Sequence, residues 1–371
     1  MRAAVWLKEN LFNGWFNSLL TVATAWFLYV TLRGILHWAF TEARWFVVPE
    51  NMRLLMVGSL PPDQVWRLWT VAVLVLFVSG LVYASRTGAR VPRWMWVGAL
   101  LLFAAVFPTV FPATRAFLLL TLLALPTGMA LGARVTDRWA KAAIAAALAV
   151  VIGLLWGNTE RLGGFSLTVL LTVLASVLAF PLGLLLALGR TGKWPVFRTL
   201  SILYIELIRG VPLITVLFLA YYMVPLFLPA SWRVPTLFSI VVGFSMFAAA
   251  YLAEYVRGGI QGVPKGQYEA AWALGLSGSQ SARYIILPQA IRSVIPALIG
   301  QLIAIFKDTS LVYILGLFDL LFMAITVTRN PKYLGTEREI LLFIALIYFV
   351  GAALMSYASR RIERAMGLGT R

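Results

Sequence analysis

Residues 167–188, LTVLLTVLASVLAFPLGLLLAL, run for 22 positions without a charge. A helix rises about 1.5 Å per residue, so about 20 apolar residues cross about 30 Å of hydrocarbon. The apolar positions are continuous and do not alternate with polar ones, which excludes a strand of a transmembrane barrel. The rest of the chain has the same character. Of its 371 residues, 61% are hydrophobic and 12% are charged, against about 25% charge in a soluble domain. The expected fold class is an all-α polytopic membrane protein.

Working outward, apolar runs cover residues 17–36, 68–83, 94–111, 117–131, 140–156, 165–188, 203–228, 236–255, 284–305 and 340–357, which predicts ten spans. The first run follows only two basic residues, Arg2 and Lys8, and has no small-residue cleavage signature. It reads as a retained span and not as a secretory signal. Arg33 and His37 fall late in that run, and a charge at the centre of a span costs about 2.5–3.5 kcal/mol on insertion scales. The first span is therefore expected to end near Val30, with residues 34–48 forming an amphipathic segment at the outer interface. The lone His37 has no evident sequence partner and reads as interfacial.

Net charge is +17, yet the abundance of Leu, Val, Ala and Trp leaves no basic soluble module for nucleic acid. The charge follows topology instead. Arg86, Arg90 and Arg93 share one loop; Arg134, Arg138 and Lys141 another; Arg190, Lys193 and Arg198 a third; Arg360, Arg361 and Arg364 close the chain. The loops between, around Pro112, Glu160 and Pro229, carry about one basic residue each. Cytoplasmic loops are enriched in Lys and Arg, so the rich loops and both termini are expected in the cytoplasm. The sequence contains no cysteine, which removes disulfides and thiolate metal sites.

Residues 266–290 read GQYEAAWALGLSGSQSARYIILPQA. Residues 268–274 favour helix, Gly275 suits a left-handed cap, and Pro288 suits the first turn of the next span. The expected product is a short helix across the membrane surface. Ala270 and Ala271 would permit close approach to a partner groove, and Glu269 would offer it a carboxylate. The spacing of Glu269-Ala270-Ala271, Gly275, Ile285 and Leu287-Pro288 resembles the EAA loop of permease subunits of ATP-binding-cassette (ABC) importers. With YIELIRGVPLITVLF (residues 204–218), AYLAEYVRGGIQGVPKGQYEAA (250–271) and LPQAIRSVIPALIGQLIAIFKDTSL (287–311), the chain is similar to polar amino-acid importer permeases. These are the histidine, glutamine and general L-amino acid types. RGVPLITVLF, LFDLL (317–321) and the extra N-terminal spans resemble the M-type permease of the general system.

That resemblance implies a type I importer (MetI-like) transmembrane domain with extra N-terminal membrane helices. Residues 1–160 would be accessory spans and residues 161–371 the permease core, with the coupling loop at about 258–288. It also implies a bacterial inner-membrane location and a set of partners. These are a cytoplasmic ABC ATPase dimer, a second permease forming a heterodimer, a periplasmic amino-acid-binding protein and the amino-acid substrate. Gly266, Tyr268, Glu269, Ala270, Ala271, Leu274 and Gly275 would dock the ATPase. The sequence contains no GxxxxGK[ST], so nucleotide belongs to the partner and the chain needs no cofactor of its own.

An amino acid needs an acceptor for its ammonium and donors for its carboxylate, both shielded from lipid. Lys307, Asp308, Thr309 and Ser310 are consecutive polar residues between apolar runs 302–306 and 311–318. They are costly unless they line a cavity. Asp308 would accept, and Thr309 and Ser310 would donate; the competing reading is a Lys307–Asp308 network that fixes a helix break. Glu206 with Arg209, and Glu254 with Arg257, are spaced as same-face ion pairs, although Glu254 also qualifies as a pathway residue. Gly210 and Pro212 in the RGVP stretch would permit a kink. The alternatives are a secondary, ion-coupled amino-acid transporter and a membrane-embedded enzyme. The first predicts corresponding broken helices in two halves, whereas the polar features cluster in the second half alone; the second has no supporting motif.

Overall fold

The computed structural model describes residues 2–88, 91–106, 112–155, 162–229 and 235–367. Arg90, Glu160 and the 160/161 boundary lie outside the described residues. The helices run α1 (Arg2–Asn10), α2 (Trp15–His37), α3 (Val47–Val57), α4 (Val65–Thr87), α5 (Arg93–Val106), α6 (Pro112–Gly132), α7 (Asp137–Leu155), α8 (Gly164–Thr191) and α9 (Pro195–Arg209). They continue as α10 (Leu213–Phe218), α11 (Val224–Leu226), α12 (Thr236–Gln261), α13 (Lys265–Ala273), α14 (Gly278–Ser281), α15 (Leu287–Asp308), α16 (Leu320–Thr328) and α17 (Glu337–Ala365).

Each predicted apolar run is helical over most of its described residues, but among those residues only six helical stretches are long and apolar enough to cross a bilayer. They are Trp15–Glu42, Pro62–Ser85, Gly164–Thr191, Thr236–Gln261, Gly278–Leu315 and Glu337–Arg364, and α9 to α11 supply a seventh if the bent pair is one span. The difference from ten falls in the first half, where the runs 94–111 and 140–156 extend into residues outside the described ones; the described part of α5 has 14 residues, the apolar part of α6 is Leu118–Gly132, and α7 opens on Asp137, Arg138 and Lys141.

The first run does not stop near Val30. Helix α2 continues through Arg33 to His37 and into a π-turn at Trp38–Glu42. Arg33 sits close enough to the helix end for its long side chain to reach the interface. His37 does have a partner: its Nδ1 lies 3.4 Å from Glu42 Oε1.

The run at 203–228 breaks where Gly210 and Pro212 predict it, and α9 meets the following segment at 111°. Pro212 cannot donate a backbone hydrogen bond, and it biases Val211 toward extended geometry, so the helix ends at Arg209 and restarts at Leu213.

Helix α12 is the centre of the second half, with 61% of its most apolar window buried inside the chain. It packs most closely on α8, then on α15 and α9. Its neighbour α8 presents Ala175, Ala179, Gly183 and Ala187 at four-residue intervals, all buried. Small residues at that period let two helix backbones approach in lipid, where apolar side chains gain little from leaving hydrocarbon. A Cβ on Gly183 would lie 2.8 Å from Leu252 Cβ and 2.9 Å from the Ala249 carbonyl oxygen.

In the first half, α4 packs along α6 and α7, and α5 on α6. Gly80, Gly128 and Gly132 make the α4–α6 contact close: a Cβ on Gly128 would fall 2.0 Å from the Phe77 carbonyl oxygen. Helix α3 packs instead on α8, α16 and α17, with Val47, Val48 and Leu55 sharing a core with Leu320, Val327 and Ile340. The Arg44 amide donates to buried Glu339 at 2.7 Å. Lys332 Nζ and the Tyr333 hydroxyl donate to Glu50 at 2.7 and 2.8 Å. Those two donors, Lys332 first, hold the Glu50 carboxyl below its ordinary range. The clasp's contribution to stability is therefore fully present above the ordinary carboxylate range, declines as pH falls below it, and is lost as pH falls through the lowered value of the folded chain.

Gly183→Leu should force α8 and α12 apart and destabilise the folded chain by roughly 1–3 kcal/mol, while Gly98→Leu, at a position with nothing within 4 Å, should be silent. Thermal melting in detergent distinguishes them; equal melting temperatures would refute the close-packing account.

Candidate functional site: the coupling loop and its charge cluster

Helix α13 begins after Pro264 and ends in a paired cap. Gly275 adopts φ +72°, its amide bonds the Trp272 carbonyl at 2.9 Å, and the Leu276 amide bonds the Ala271 carbonyl at 3.1 Å. This is the Schellman arrangement, which glycine enters without a Cβ penalty. The chain restarts at α14 through a capping box between Ser277 and Gln280. The helical stretch continues through a π-turn at Ala282–Ile286, and Pro288 stands directly after it as the second residue of α15.

The loop is tied to the bundle from below. The Tyr268 hydroxyl donates to the Ile260 carbonyl at 3.1 Å, Gln289 donates to Gln267 at 3.0 Å, and Ala271 is buried. Tyr268 packs with Val263, Ile286 and Ala290. Gly266, Glu269, Ala270, Leu274 and Gly275 face outward. Trp272 and Leu274 are 66% and 76% exposed, so an apolar surface flanks the Glu269 carboxylate. Trp272 was not among the docking residues expected from sequence, although its place one turn from Tyr268 on a short helix signals it.

Just above the loop lies a charge cluster that the linear spacing misassigned. Glu206 and Arg209 do not pair with each other. Arg190 Nη1 contacts Glu206 Oε1 at 2.7 Å and Glu254 Oε1 at 3.2 Å; Arg209 Nη1 lies 3.7 Å from Glu254 Oε2; Arg257 Nη2 lies 2.8 Å from the same oxygen. Only the Glu254–Arg257 pair forms at the expected spacing. Glu254 is thus surrounded by guanidinium groups from α8, α9 and α12, with a side chain only 14% exposed. By sequence alone Arg190 belongs to a basic loop, because its partners lie 16 and 64 positions away.

The Lys307–Ser310 group closes α15. Helical turns end at Asp308 and pass into a tighter 3₁₀ turn at Thr309–Leu315. The buried Thr309 hydroxyl donates to the Phe306 carbonyl at 2.7 Å, and the Ser310 hydroxyl to the Lys307 carbonyl at 2.9 Å. Both hydroxyl protons are engaged by the helix end. Asp308 is half-buried, and its carboxylate makes no hydrogen bond or ion pair among the described residues; Lys307 is exposed. The structure does not bring Glu254 and Asp308 into one constellation, because opposite ends of long helices carry them.

Residues 179–368 match the model of the family described as binding-protein-dependent transport system inner membrane component. The chain belongs to that family. It is 36% identical over 387 residues to the inner membrane amino-acid ABC transporter permease protein YhdY of Escherichia coli, with 99% of this chain and 94% of the relative covered. It is also 36% identical to the glutamate/glutamine/aspartate/asparagine transport system permease protein BztC of Rhodobacter capsulatus, with 98% and 93% covered. The glutamate/aspartate import permease protein GltK of Escherichia coli is 39% identical over 209 residues, which are 54% of this chain and 92% of GltK. As an inner membrane component of a binding-protein-dependent system, the chain is a non-catalytic, multi-pass permease. Its loop is the EAA segment of that family, and the ion-coupled alternative falls away.

Glu254→Gln should leave Arg190, Arg209 and Arg257 facing one another without their shared anion, costing roughly 1–3 kcal/mol. Glu206→Gln, at a half-exposed site, should cost less than about 1 kcal/mol. Chemical denaturation of the purified complex reads the difference, and equal losses would argue against Glu254 as the hub.

Proposed function

We propose that this permease moves amino acids from the periplasm to the cytoplasm, driven by ATP hydrolysis in a separate ATPase dimer that docks on the loop at about 258–288. The observation that carries this reading is α13 itself. It is a capped helix anchored through Tyr268 and Ala271, and it projects Glu269, Trp272 and Leu274 away from the bundle. A rigid outward helix fixed between α12 and α15 transmits a push to both spans, coupling distant sites through a two-state element. The relatives named for amino acids and for glutamate, glutamine, aspartate and asparagine support the substrate class.

In this reading the basic end carrying Arg190, Arg257 and the coupling loop faces the cytoplasm, as do both termini, because cytoplasmic loops gather Lys and Arg. A second, different permease completes the pathway, and a periplasmic amino-acid-binding protein delivers substrate. Residues 161–371 form the transport core, with residues 1–160 accessory to it. Nucleotide is bound by the partner ATPase. Asp308 is the acceptor for the substrate ammonium, supported by its unpaired, half-buried carboxylate. Lys307, Thr309 and Ser310 shape the surrounding helix end, and Glu254 organises the cluster near the coupling loop.

Leu274→Asp, placing a charge on the exposed apolar contact, should lower binding-protein-stimulated ATPase activity by about tenfold or more. Unchanged stimulation would remove the loop from the coupling route. Asp308→Asn should weaken apparent substrate affinity in vesicle uptake by about tenfold, the scale of a charge-assisted hydrogen bond, with ATPase assembly intact. Uptake at unchanged apparent affinity would exclude Asp308 as the acceptor.

A further inference from the structure

A cavity of about 620 Å³ opens beside the coupling helix, between the C-terminal ends of α8 and α12, the start of α9, and α13. Arg190, Arg198, Arg257 and Lys265 line it, and no acidic residue among the described residues does. Behind the wall, Glu206 and Glu254 engage Arg190, Arg209 and Arg257. Arg198 and Lys265 have no ion pair among the described residues. Five basic side chains thus face two carboxylates, an excess of three positive charges. Arg198 and Lys265 each stand in the first turn of a helix, α9 and α13, and neither first turn contains an acid. The backbone at that end of a helix is itself partly positive, so it adds to these charges and does not offset them.

A phospholipid headgroup, a free ion and an acidic protein segment all carry the complementary charge. Helix α9 argues against the lipid. Its exposed apolar residues Val196, Leu200, Leu203 and Leu207 lie on the face opposite Arg198 and Ile202, so acyl chains along them lead away from the cavity. Position separates the other two. Lys265 opens α13 and Leu274 closes it nine residues later, about 14 Å away at about 1.5 Å per residue. A small domain is about 30 Å across, so a partner seated on Trp272 and Leu274 has the cavity mouth within its footprint. Tyr268 belongs to both features: it lines the cavity, and its hydroxyl anchors α13 to the Ile260 carbonyl. Protein arriving over unpaired cations strips their water, and that cost is offset only where the arriving surface supplies anions. A free ion gains nothing from the adjacent apolar contact.

We infer that the cavity receives an acidic segment of the docking ATPase, whose carboxylates pair with Arg198 and Lys265. The inference rests on the docking proposed above and adds an ionic contact to the apolar one at Trp272 and Leu274. Guanidinium holds a carboxylate through two parallel N–H bonds, which fixes orientation as well as charge. Because Arg198 lies on α9 and Lys265 on α13, the acidic segment joins the ATPase to two helices of the permease. Its movement then reaches α9 directly and does not depend on the coupling helix alone.

The test uses this chain with its partner permease in phosphatidylcholine nanodiscs and the purified ATPase as the probe, without ATP or amino acid. Arg198→Gln and Lys265→Gln should each weaken ATPase binding about fivefold, the upper range of an exposed ion pair, and should flatten its dependence on salt. Arg198→Lys and Lys265→Arg should retain most of the affinity. Both side chains are exposed, and unchanged melting of each variant shows that the fold is kept. A photo-crosslinking residue in place of Arg198 should capture an ATPase peptide containing Asp or Glu. Changing that acid to Lys should restore the affinity that Arg198→Glu loses. Unaltered ATPase affinity in the double Gln variant would overturn the proposal, as would crosslinks confined to lipid or to the partner permease. Saturable binding of inorganic phosphate that the double Gln variant loses, with ATPase affinity unchanged, would show a free-anion site and overturn it too. Leu274→Asp keeps the two readings apart. If it weakens binding and the double Gln variant does not, only the acidic contact falls; if neither does, the docking falls with it.

Discussion

The close approach of α8 to α12 is the constraint from which the functional end of the molecule follows. In hydrocarbon, helices gain little by hiding apolar side chains from lipid, so association depends on how near the backbones come. Ala175, Ala179, Gly183 and Ala187 remove the bulk that would hold the helices apart. Arg190, one turn beyond that stripe, can then reach Glu254 on α12 and Glu206 on α9 together. A larger residue in the stripe would separate the ends and strand these charges.

The charge cluster gives the coupling loop a firm base. Glu254 draws in Arg190, Arg209 and Arg257, so three helices are joined at the level where the chain turns into α13. Partly buried charges of this kind contribute little net stability, because desolvation offsets attraction. They fix relative position. The Tyr268 hydroxyl bond, buried Ala271 and the Gly275 cap complete the attachment of α13 to the bundle. Asp308 lies at the opposite end of α15 from the loop.

Much of the local structure was legible because it depends on neighbours in sequence. The Gly275 cap, the break at Gly210 and Pro212, and the Glu254–Arg257 pair all involve groups within a few residues of each other. The readings that failed depended on distance. The Glu206–Arg209 pair gave way to contacts with Arg190 and Glu254 because helix packing offered nearer partners than the same helix face did. The first span outran Val30 because an Arg near a helix end keeps its charge in water without ending the helix. The glycines joining α4 to α6 gave no signal either: a Gly with a carbonyl pressed against it and a Gly in open space are the same letter.

By itself the sequence determined that this is a multispanning helical protein, that a capped helix interrupts its basic surface before Pro288, and that Lys307–Ser310 lies between apolar runs. Hydropathy, capping and proline geometry act over one or two helical turns, and the order of residues contains them. Only the tertiary structure decided that Glu254 is a hub, that α3 belongs with α8, α16 and α17 while α4 packs with α6 and α7, and that unmatched cations border a cavity beside the coupling helix. Those facts depend on which helices lie side by side, and that is set by close packing between segments far apart in the chain.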